Sequence, residues 1–405
     1  MQHGLKTWLA AGAMCVAAGS AQAQFSDGTI KIGVMNDQSG TYADLSGQGS
    51  VWAAKKAIED FCKTTKCHDK IEVVFADHQN KPDIGSNVVR QWFDVDKVDA
   101  VVDVPTSSVA LAVNTITKEK NKVFLVSGAA ASNLTGKDCS PNTVHWTYDT
   151  WALANGTGKA IVKTGGDTWF FLTADYAFGH ALEADTAAVV EANGGKVVGK
   201  VRHPFPAQDF SSFLLQAQQS KAKIIGLANA GADTTNAIKQ ASEFGIVSGG
   251  QNLAGLLVFI TDVHSLGLKT AQGLIMTEAW YWDGNDNNRA FAKEFAPANK
   301  GNMPTMVQAG VYSAVTHYLK AVHEMKSDAD GAAVVAKMKS MPTDDKLFGK
   351  GTIRQDGRKI HDMYLFEVKK PEESKAPWDY YKVRATIPAA EAFRPIEQGN
   401  CPLVK

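Results

Sequence analysis

A twofold rhythm constrains this chain more than any single motif. Short, continuous apolar runs alternate with stretches of helical periodicity, and the series occurs twice. In the first series "IKIGVM" (30–35), "IEVVFA" (71–76), "AVVDV" (100–104) and "KVFLV" (122–126) are spaced by helical patterns at 47–61, 83–95 and from 106 onward. In the second, a helix at 151–164 leads to "TWFFLT" (168–173), "KVVGKV" (196–201), "KIIGLA" (223–228), "LLVFI" (256–260) and "LIMT" (274–277), with helices at 178–193, 210–220 and 233–244 between them. A strand that is apolar along its whole length must be covered on both faces, and such strands spaced by helices build parallel sheets. The expected class is α/β, with two units each large enough for its own core. Residues 287–341 read as mostly helical, followed by strand-like "KGTIR" (350–354) and "MYLFEV" (363–368). No low-complexity linker separates the units, so structured crossings should join them.

The first 23 residues read as a secretory signal peptide. Lys6 supplies a basic start, an apolar stretch runs from Trp8 to about Ala18, and Ala21-Gln22-Ala23 is a small-x-small cleavage site. Cleavage after Ala23 implies an exported, periplasmic protein. The apolar stretch is too short to span a bilayer, and no later segment has about 20 continuous apolar residues, so no direct membrane insertion is expected. Cys15 is preceded by Met14, where a lipoprotein needs a small residue. Lys plus Arg equal Asp plus Glu at 42 each, and no basic face stands out, which argues against nucleic acid or anionic membrane as partners. Cys62, Cys67, Cys139 and Cys401 remain after removal of the signal. An even count in an exported chain suggests two disulfides, with three possible connectivities. The short loop "CKTTKC" favours Cys62 with Cys67, which leaves Cys139 with Cys401 and ties the C-terminal tail to the body.

Motifs of catalysis are missing. "GTGKA" (156–160) lacks the first glycine of a phosphate loop and has Ala160 where a magnesium-binding hydroxyl belongs, so it reads as helix surface. "DGNDNNRAFAKE" has calcium-like spacing but Asn288 in place of the turn glycine, so its asparagines read as helix caps. The histidines show no metal spacing, and neither a nucleophile elbow nor a dinucleotide fingerprint is present. No cofactor or metal is expected. His78 follows a strand end and reads as a loop histidine with a hydrogen-bond partner.

Open parallel sheets bind ligands in the loops after the strands. Here those loops are "NDQSGTYADLSGQG" (36–49, carrying Tyr42), "PTSS" (105–108) and "SGAAASN" (127–133) in the first unit. In the second they are "TADYAFG" (173–179), "NAGADTT" (229–235) and "ITDVH" (260–264). They are small and polar and bring backbone N–H groups close to a small solute, but offer no strong nucleophile.

The opening "IKIGVMNDQSG", the early "AAKKAIEDF", and then "GAAASNLTG", "TADYAFGHAL" and "AIKQASEFGI" occur in the order seen in a known family. Together they resemble the periplasmic (type I) solute-binding proteins of ABC importers, in the branched-chain amino acid-binding, leucine-binding-protein-like group. The resemblance covers essentially the whole mature chain. It implies two Rossmann-like lobes joined by three hinge crossings, one lobe of 24–147 plus 278–350 and the other of 148–277 plus 351–405, with the solute between them. It also implies a monomer that hands its solute to an ABC permease in the membrane.

The resemblance further implies site residues. A serine-rich loop and an alanine-rich loop hold the ligand carboxylate in that family; these positions match Thr106, Ser107 and Ser108, then Gly128, Ala129, Ala130, Ala131 and Ser132. The aromatic before glycine matches Phe178, with Tyr176 beside it. In the next loop, Asn229 and Ala230 occupy the place of the family's usual tyrosine, and Ala130 that of its usual threonine. The acidic residue that meets an ammonium falls near Thr261 or Asp262. Trp280 and Tyr281, at a crossing, could supply stacking faces. These departures leave room for a carboxylate without an amine, such as a benzoate or phenylpropanoid, beside hydrophobic amino acids.

"VPTSSVALAV" (104–113) carries the sharpest expectation. It ends a strand and begins a helix whose first N–H groups lack intrahelical partners and whose dipole adds partial positive charge. One hydroxyl, that of Thr106, is expected to cap the helix. Ser107 and Ser108 are then free to hold a carboxylate with the loop at 129–131, and no Lys or Arg lies in either loop. The alternative class is a secreted ligand sensor or enzyme on the same two lobes, whose acid–base candidates would be Asp262, Tyr176 and His78.

Overall fold

The computed structural model describes residues 25–67 and 70–404. The signal segment 1–23, its cleavage site at Ala23 and Cys15 lie outside the described residues. The first unit runs β1 (Thr29–Asn36), α1 (Gly47–Thr65), β2 (Lys70–Asp77), α2 (Pro82–Asp94), β3 (Ala100–Asp103), α3 (Ser107–Glu119), β4 (Val123–Val126) and β5 (Thr143–His145). Its strands form one parallel sheet in the order β2-β1-β3-β4-β5. Alternate side chains of these strands enter different apolar clusters. Val102 and Leu125 face one side of the sheet, Val101 and Phe124 the other, and all four are fully buried. That double burial is why the strands read as unbroken apolar runs.

The second unit opens with a helical stretch. This comprises α4 (Thr150–Leu153), a π-helical turn (Ala154–Gly158) and α5 (Lys159–Lys163). Then follow β6 (Thr168–Ala174), α6 (Ala177–Ala192), β7 (Lys196–His203), α7 (Ser211–Gln219), β8 (Ile224–Ala228), α8 (Ala232–Glu243), β9 (Asn252–Gly255), α9 (Ile260–Leu266) and α10 (Leu268–Ala271). The parallel order is β7-β6-β8-β9. The rest comprises β10 (Ile275–Glu278), α11 (Asp286–Ala298), α12 (Met306–Met325), α13 (Gly331–Ser340), β11 (Thr343–Asp345), β12 (Gly349–Ile353), β13 (Lys359–Ile360), β14 (Met363–Val368), β15 (Tyr381–Ile387) and α14 (Ala389–Ala392). Helices α11, α12 and α13 return to the first unit, where α12 packs on α1, β3 and β4. Strands β10, β14 and β15 form an antiparallel sheet beside the second core. Among the described residues no helix is long and apolar enough to cross a membrane.

The architecture is α/β with two parallel-sheet lobes. The chain passes between them three times: between β5 and β6, between β10 and α11, and between β13 and β14. The first and third crossings are bonded to each other, with His361 Nε2 2.9 Å from Thr147 O; Arg358, just before β13, donates from Nη1 to Tyr148 O at 2.9 Å, and Tyr381 OH of β15 donates to Glu278 Oε1 at the end of β10 at 2.7 Å. After β15 the tail comes back to the first lobe, where Arg394 Nη2 donates to Ser132 O at 3.0 Å. Cys139 and Cys401 form a disulfide there, and Cys62 and Cys67 form another at the end of α1. Both pairs are those favoured by the spacing.

Three local readings need correction. "LLVFI" is not a strand: β9 lies earlier, at Asn252–Gly255, and pairs with β8 only that far. The apolar run beyond it is buried without being a strand: Val258 and Ile260 pack into the core of the second lobe, while Leu257 and Phe259 wall a cavity between the lobes. "GTGKA" is not helix surface. Gly156 is buried so closely against β10 that a Cβ there would lie 2.2 Å from Thr277 Oγ1, so the glycine is needed for that approach. Strand β15 escaped notice because most of its side chains are exposed and it has no apolar run. In contrast, Asn285 does cap α11, accepting from the Asn288 N–H.

Candidate functional site

Parallel topology gathers the loops after the strands at one edge of each sheet, and here the two edges face each other. After β1, Asp37 organises the turn: its carboxylate accepts from the N–H groups of Ser39, Gly40 and Tyr42, the last at 2.8 Å. This presents Tyr42 toward the other lobe, where its hydroxyl bonds that of Tyr176, at the N-terminus of α6. Phe205, in the loop after β7, stacks on both rings, with centroids 5.4 Å from Tyr42 and 4.4 Å from Tyr176. Beside this cluster the Ala232 N–H donates to Thr41 O at 3.3 Å across the cleft. Gly231 allows that approach, with φ of +59°.

Beneath the aromatic cluster lies a small, tightly closed gap between the lobes. The first lobe contributes Tyr42, Leu45, Pro105, Gly128 and Ala130, with Tyr148 from the first crossing. The second contributes Tyr176, Phe178, Ala230, Leu257 and Phe259. Among the described residues no charged side chain lines it. The wall is mainly aromatic and aliphatic, and its polar groups are phenol hydroxyls and backbone.

The loop after β3 is strained. Asp103 and Val104 have φ of +85° and +52°, and positive φ at a β-branched residue costs of order 1–3 kcal/mol. The turn swings the chain from strand to helix at the cavity edge. Asp103 is fully buried below it. Its Oδ2 accepts from Ser46 Oγ at 2.6 Å and Asn36 Nδ2 at 3.0 Å, while Oδ1 has no partner among the described residues. Burial pushes its carboxyl up to about 6.

The alanine-rich loop closes the other side. Tyr148 OH donates to Gly128 O at 2.5 Å, His145 Nε2 lies 2.8 Å from Ala129 O, and the Ala131 N–H donates to Ser107 Oγ at 3.2 Å. That last bond joins the two loops expected to share a carboxylate. Because Ser107 accepts there, its own proton remains available to a ligand. Ser107 is buried and Ser108 partly so.

The residues singled out from the sequence divide into two groups. Tyr42, Gly128, Ala130, Tyr176, Phe178 and Ala230 line the cavity; Ala129 and Ala131 adjoin lining residues in the chain, and Ser107, which does not line it, reaches that loop through the Ala131 N–H, with Ser108 next to it at the start of α3. The others face elsewhere. Thr106 sits at the N-cap of α3 without capping it: its hydroxyl donates to Asn80 Oδ1. Asn229 is buried and occupied, with its amide 3.1 Å from His203 Nε2 and its carbonyl accepting from Thr234 at 2.7 Å. Thr261 and Asp262 begin α9 outside the cavity wall, and Asp262 accepts from the Phe259 N–H at 2.9 Å. Burial pushes the Asp262 carboxyl up to about 7. Trp280 packs edge-on against Phe291 at 6.1 Å, and Tyr281 stands 4.9 Å from Tyr381. Both pack in the second crossing and line a separate pocket with Phe348, His361 and Tyr364 rather than this cavity. His78 is buried, and its Nδ1 accepts from the Asn80 N–H at 3.0 Å.

Leu45 and Pro105 belong to loops expected at the site but were not singled out in them, and Tyr148, Phe205, Leu257 and Phe259 lie outside every loop expected there. Leu257 and Phe259 were hidden in a run that imitated a strand. Phe205 lies in a loop whose role depends on the opposite lobe.

A family model described as periplasmic binding protein matches residues 29–375. A crystal structure of a periplasmic binding protein from Burkholderia mallei is 54% identical, with a TM-score of 0.90 and coverage of 94% of this chain and 100% of that one. A branched chain amino acid ABC transporter periplasmic ligand-binding protein from Burkholderia xenovorans LB400 is 40% identical, with a TM-score of 0.81 and coverage of 93% and 100%. A solute binding protein of an ABC transporter from R. palustris, in complex with benzoate, shares the fold at 22% identity, a TM-score of 0.79 and coverage of 93% and 100%.

Proposed function

The chain belongs to the periplasmic binding protein family, and from that premise we propose that it captures a small organic carboxylate between its lobes and delivers it to an ABC permease. Like its relatives, it is a solute-binding protein of ABC transporters and not an enzyme. The observation that carries the carboxylate reading is the edge of the cavity. There the start of α3 and the loop at 129–131 meet at the Ser107–Ala131 bond, beside apolar walls that carry no charged side chain among the described residues. Neutral donors and a helix N-terminus suit a carboxylate.

An aromatic acid fits this wall better than an amino acid. A buried ammonium needs a carboxylate or several acceptors. Asp262 instead serves the Phe259 N–H, and the side chains lining the cavity are aromatic or aliphatic. In the R. palustris protein the same fold is found in complex with benzoate, which supports this reading. A hydrophobic amino acid is the second reading, favoured by the likeness to the 40% identical branched chain amino acid ABC transporter protein of B. xenovorans. Export through a signal peptide cleaved after Ala23, and a monomeric state, belong to the same proposal. So does the lobe division, with the third crossing at 361–362 rather than near 350, because β12 pairs with β11 and β13. The test is native mass spectrometry of the purified protein for a retained small molecule, followed by calorimetry with benzoate, 4-hydroxybenzoate, L-leucine and the matching amides. An amide that binds as tightly as its acid refutes the carboxylate site.

A further inference from the structure

Thr106 occupies the position from which a threonine normally caps a helix, yet its side chain makes no cap hydrogen bond to α3. The reason lies one loop away, at Asn80. Its backbone has φ of +58°, a conformation asparagine tolerates better than most residues. Its N–H donates to His78 Nδ1 at 3.0 Å, and its Nδ2 donates to Asp37 Oδ2 at 2.6 Å. A carboxylate only accepts, so Asp37 fixes which end of the amide faces it. The amide oxygen must then point the other way, where it takes the Thr106 hydroxyl. Thus the loops after β1, β2 and β3 are joined as Asp37–Asn80–Thr106.

This has a chemical result at α3. The first intrahelical bond runs from the Ala110 N–H to Thr106 O at 2.9 Å. The N–H groups of Ser107, Ser108 and Val109 precede it and have no carbonyl within the helix to bond. A capping Thr106 would accept from Ser108 or Val109. It would then occupy donors that an anionic solute could use.

We propose that Asn80 is a positioning residue of the solute site: it draws the Thr106 hydroxyl away from α3 and so keeps the first N–H groups of that helix free for the solute carboxylate. The inference rests on the carboxylate reading above. Asn80 need not touch the solute; it acts through Thr106. Loss of the Asn80 amide releases Thr106 to cap α3, and the solute must then displace that cap.

The experiment is a double-variant cycle with benzoate and L-leucine as probes, read by titration calorimetry. Asn80→Ala weakens the acid that binds wild type about five- to tenfold, the worth of one helix cap. The loss for the corresponding amide is smaller. The double variant Asn80→Ala/Thr106→Val binds no more weakly than Thr106→Val alone, because valine cannot cap. A double variant that retains the full Asn80→Ala loss overturns the proposal, since the effect would then run through Asp37 and the Tyr42 loop. An unchanged Asn80→Ala affinity overturns it as well. Amide hydrogen exchange of the ligand-free proteins gives a separate readout: the Ser108 or Val109 N–H is slower in Asn80→Ala than in wild type. If no probe binds wild type, the carboxylate reading fails at that point. Equal exchange in the two proteins refutes the role of Asn80 independently.

Discussion

Gly231→Ala separates lobe closure from lobe stability. Gly231 has φ of +59° and ψ of −135°, a region open to glycine and costly for alanine in any arrangement of the lobes, by about 1–3 kcal/mol. A second cost exists only when the lobes meet. A Cβ at this position would lie 2.4 Å from Thr41 O and 3.0 Å from Tyr42 Cδ1, both on the opposite lobe, whereas ordinary contact begins near 3.4 Å. The cleft must therefore open by about 1 Å there, on the contact radii of packed atoms. That movement breaks the bond from the Ala232 N–H to Thr41 O and loosens the Tyr42–Phe205–Tyr176 cluster. Loss of one hydrogen bond with local overpacking amounts to about 1–3 kcal/mol of closure energy, or roughly five- to 150-fold in affinity. Thermal unfolding without ligand measures the first cost. Calorimetry with the tightest acid of the panel measures the second, and small-angle scattering shows whether saturating ligand still compacts the variant. A protein that unfolds more easily but binds with wild-type affinity would refute the reasoning, because the solute complex would then not use this contact.

Three further outcomes are expected. Ser107→Ala weakens acid binding by about 1–3 kcal/mol, because it removes a donor to the anion and the acceptor for the Ala131 N–H; calorimetry against acid and amide checks that the loss is confined to the acid. Thermal stability falls as pH rises from 6.5 to 8. Burial raises Asp233 and Asp262 to about 7 and Glu278 to about 8, so these groups favour folding while protonated and lose that contribution as pH passes through those values. The buried histidines with lowered values act below about 6.5, and Lys359, pushed down to about 8, adds stability only toward more alkaline pH; a melting series for wild type and Asp233→Asn, in which the variant should be flatter, tests the assignment. Finally, Cys139→Ser/Cys401→Ser costs more stability than Cys62→Ser/Cys67→Ser, roughly 5 against roughly 2 kcal/mol on the chain-entropy model, since the sequence separations are 262 and 5; urea unfolding decides the order.

The fold was legible because strands such as Val123–Val126 are buried on both faces and so leave an unmistakable apolar signature. The same rule misled at 256–260, where alternate side chains are buried in the second core and in a cavity wall without any strand pairing. The site was legible where position in the topology decides it, as for Tyr42, Gly128 and Phe178. It was not legible where a side chain chooses among distant partners. Nothing local in "VPTSS" reveals that Thr106 bonds Asn80. That choice is made by loops that are apart in sequence and adjacent only at the ends of the strands, whereas Asp262 bonds the start of its own helix, a local contact.

The bond between Cys139 and Cys401 changes the connectivity of the molecule as a graph. It closes a covalent ring of main chain that contains every strand of the second lobe, with the first and last segments as tails outside it. A single protease cut between those two cysteines opens the ring without releasing a fragment. Under oxidising conditions the nicked protein migrates as one species, and only reductant divides it in two. The second lobe is thus held at both ends of its own sequence, and damage to any one crossing leaves it attached to its partner.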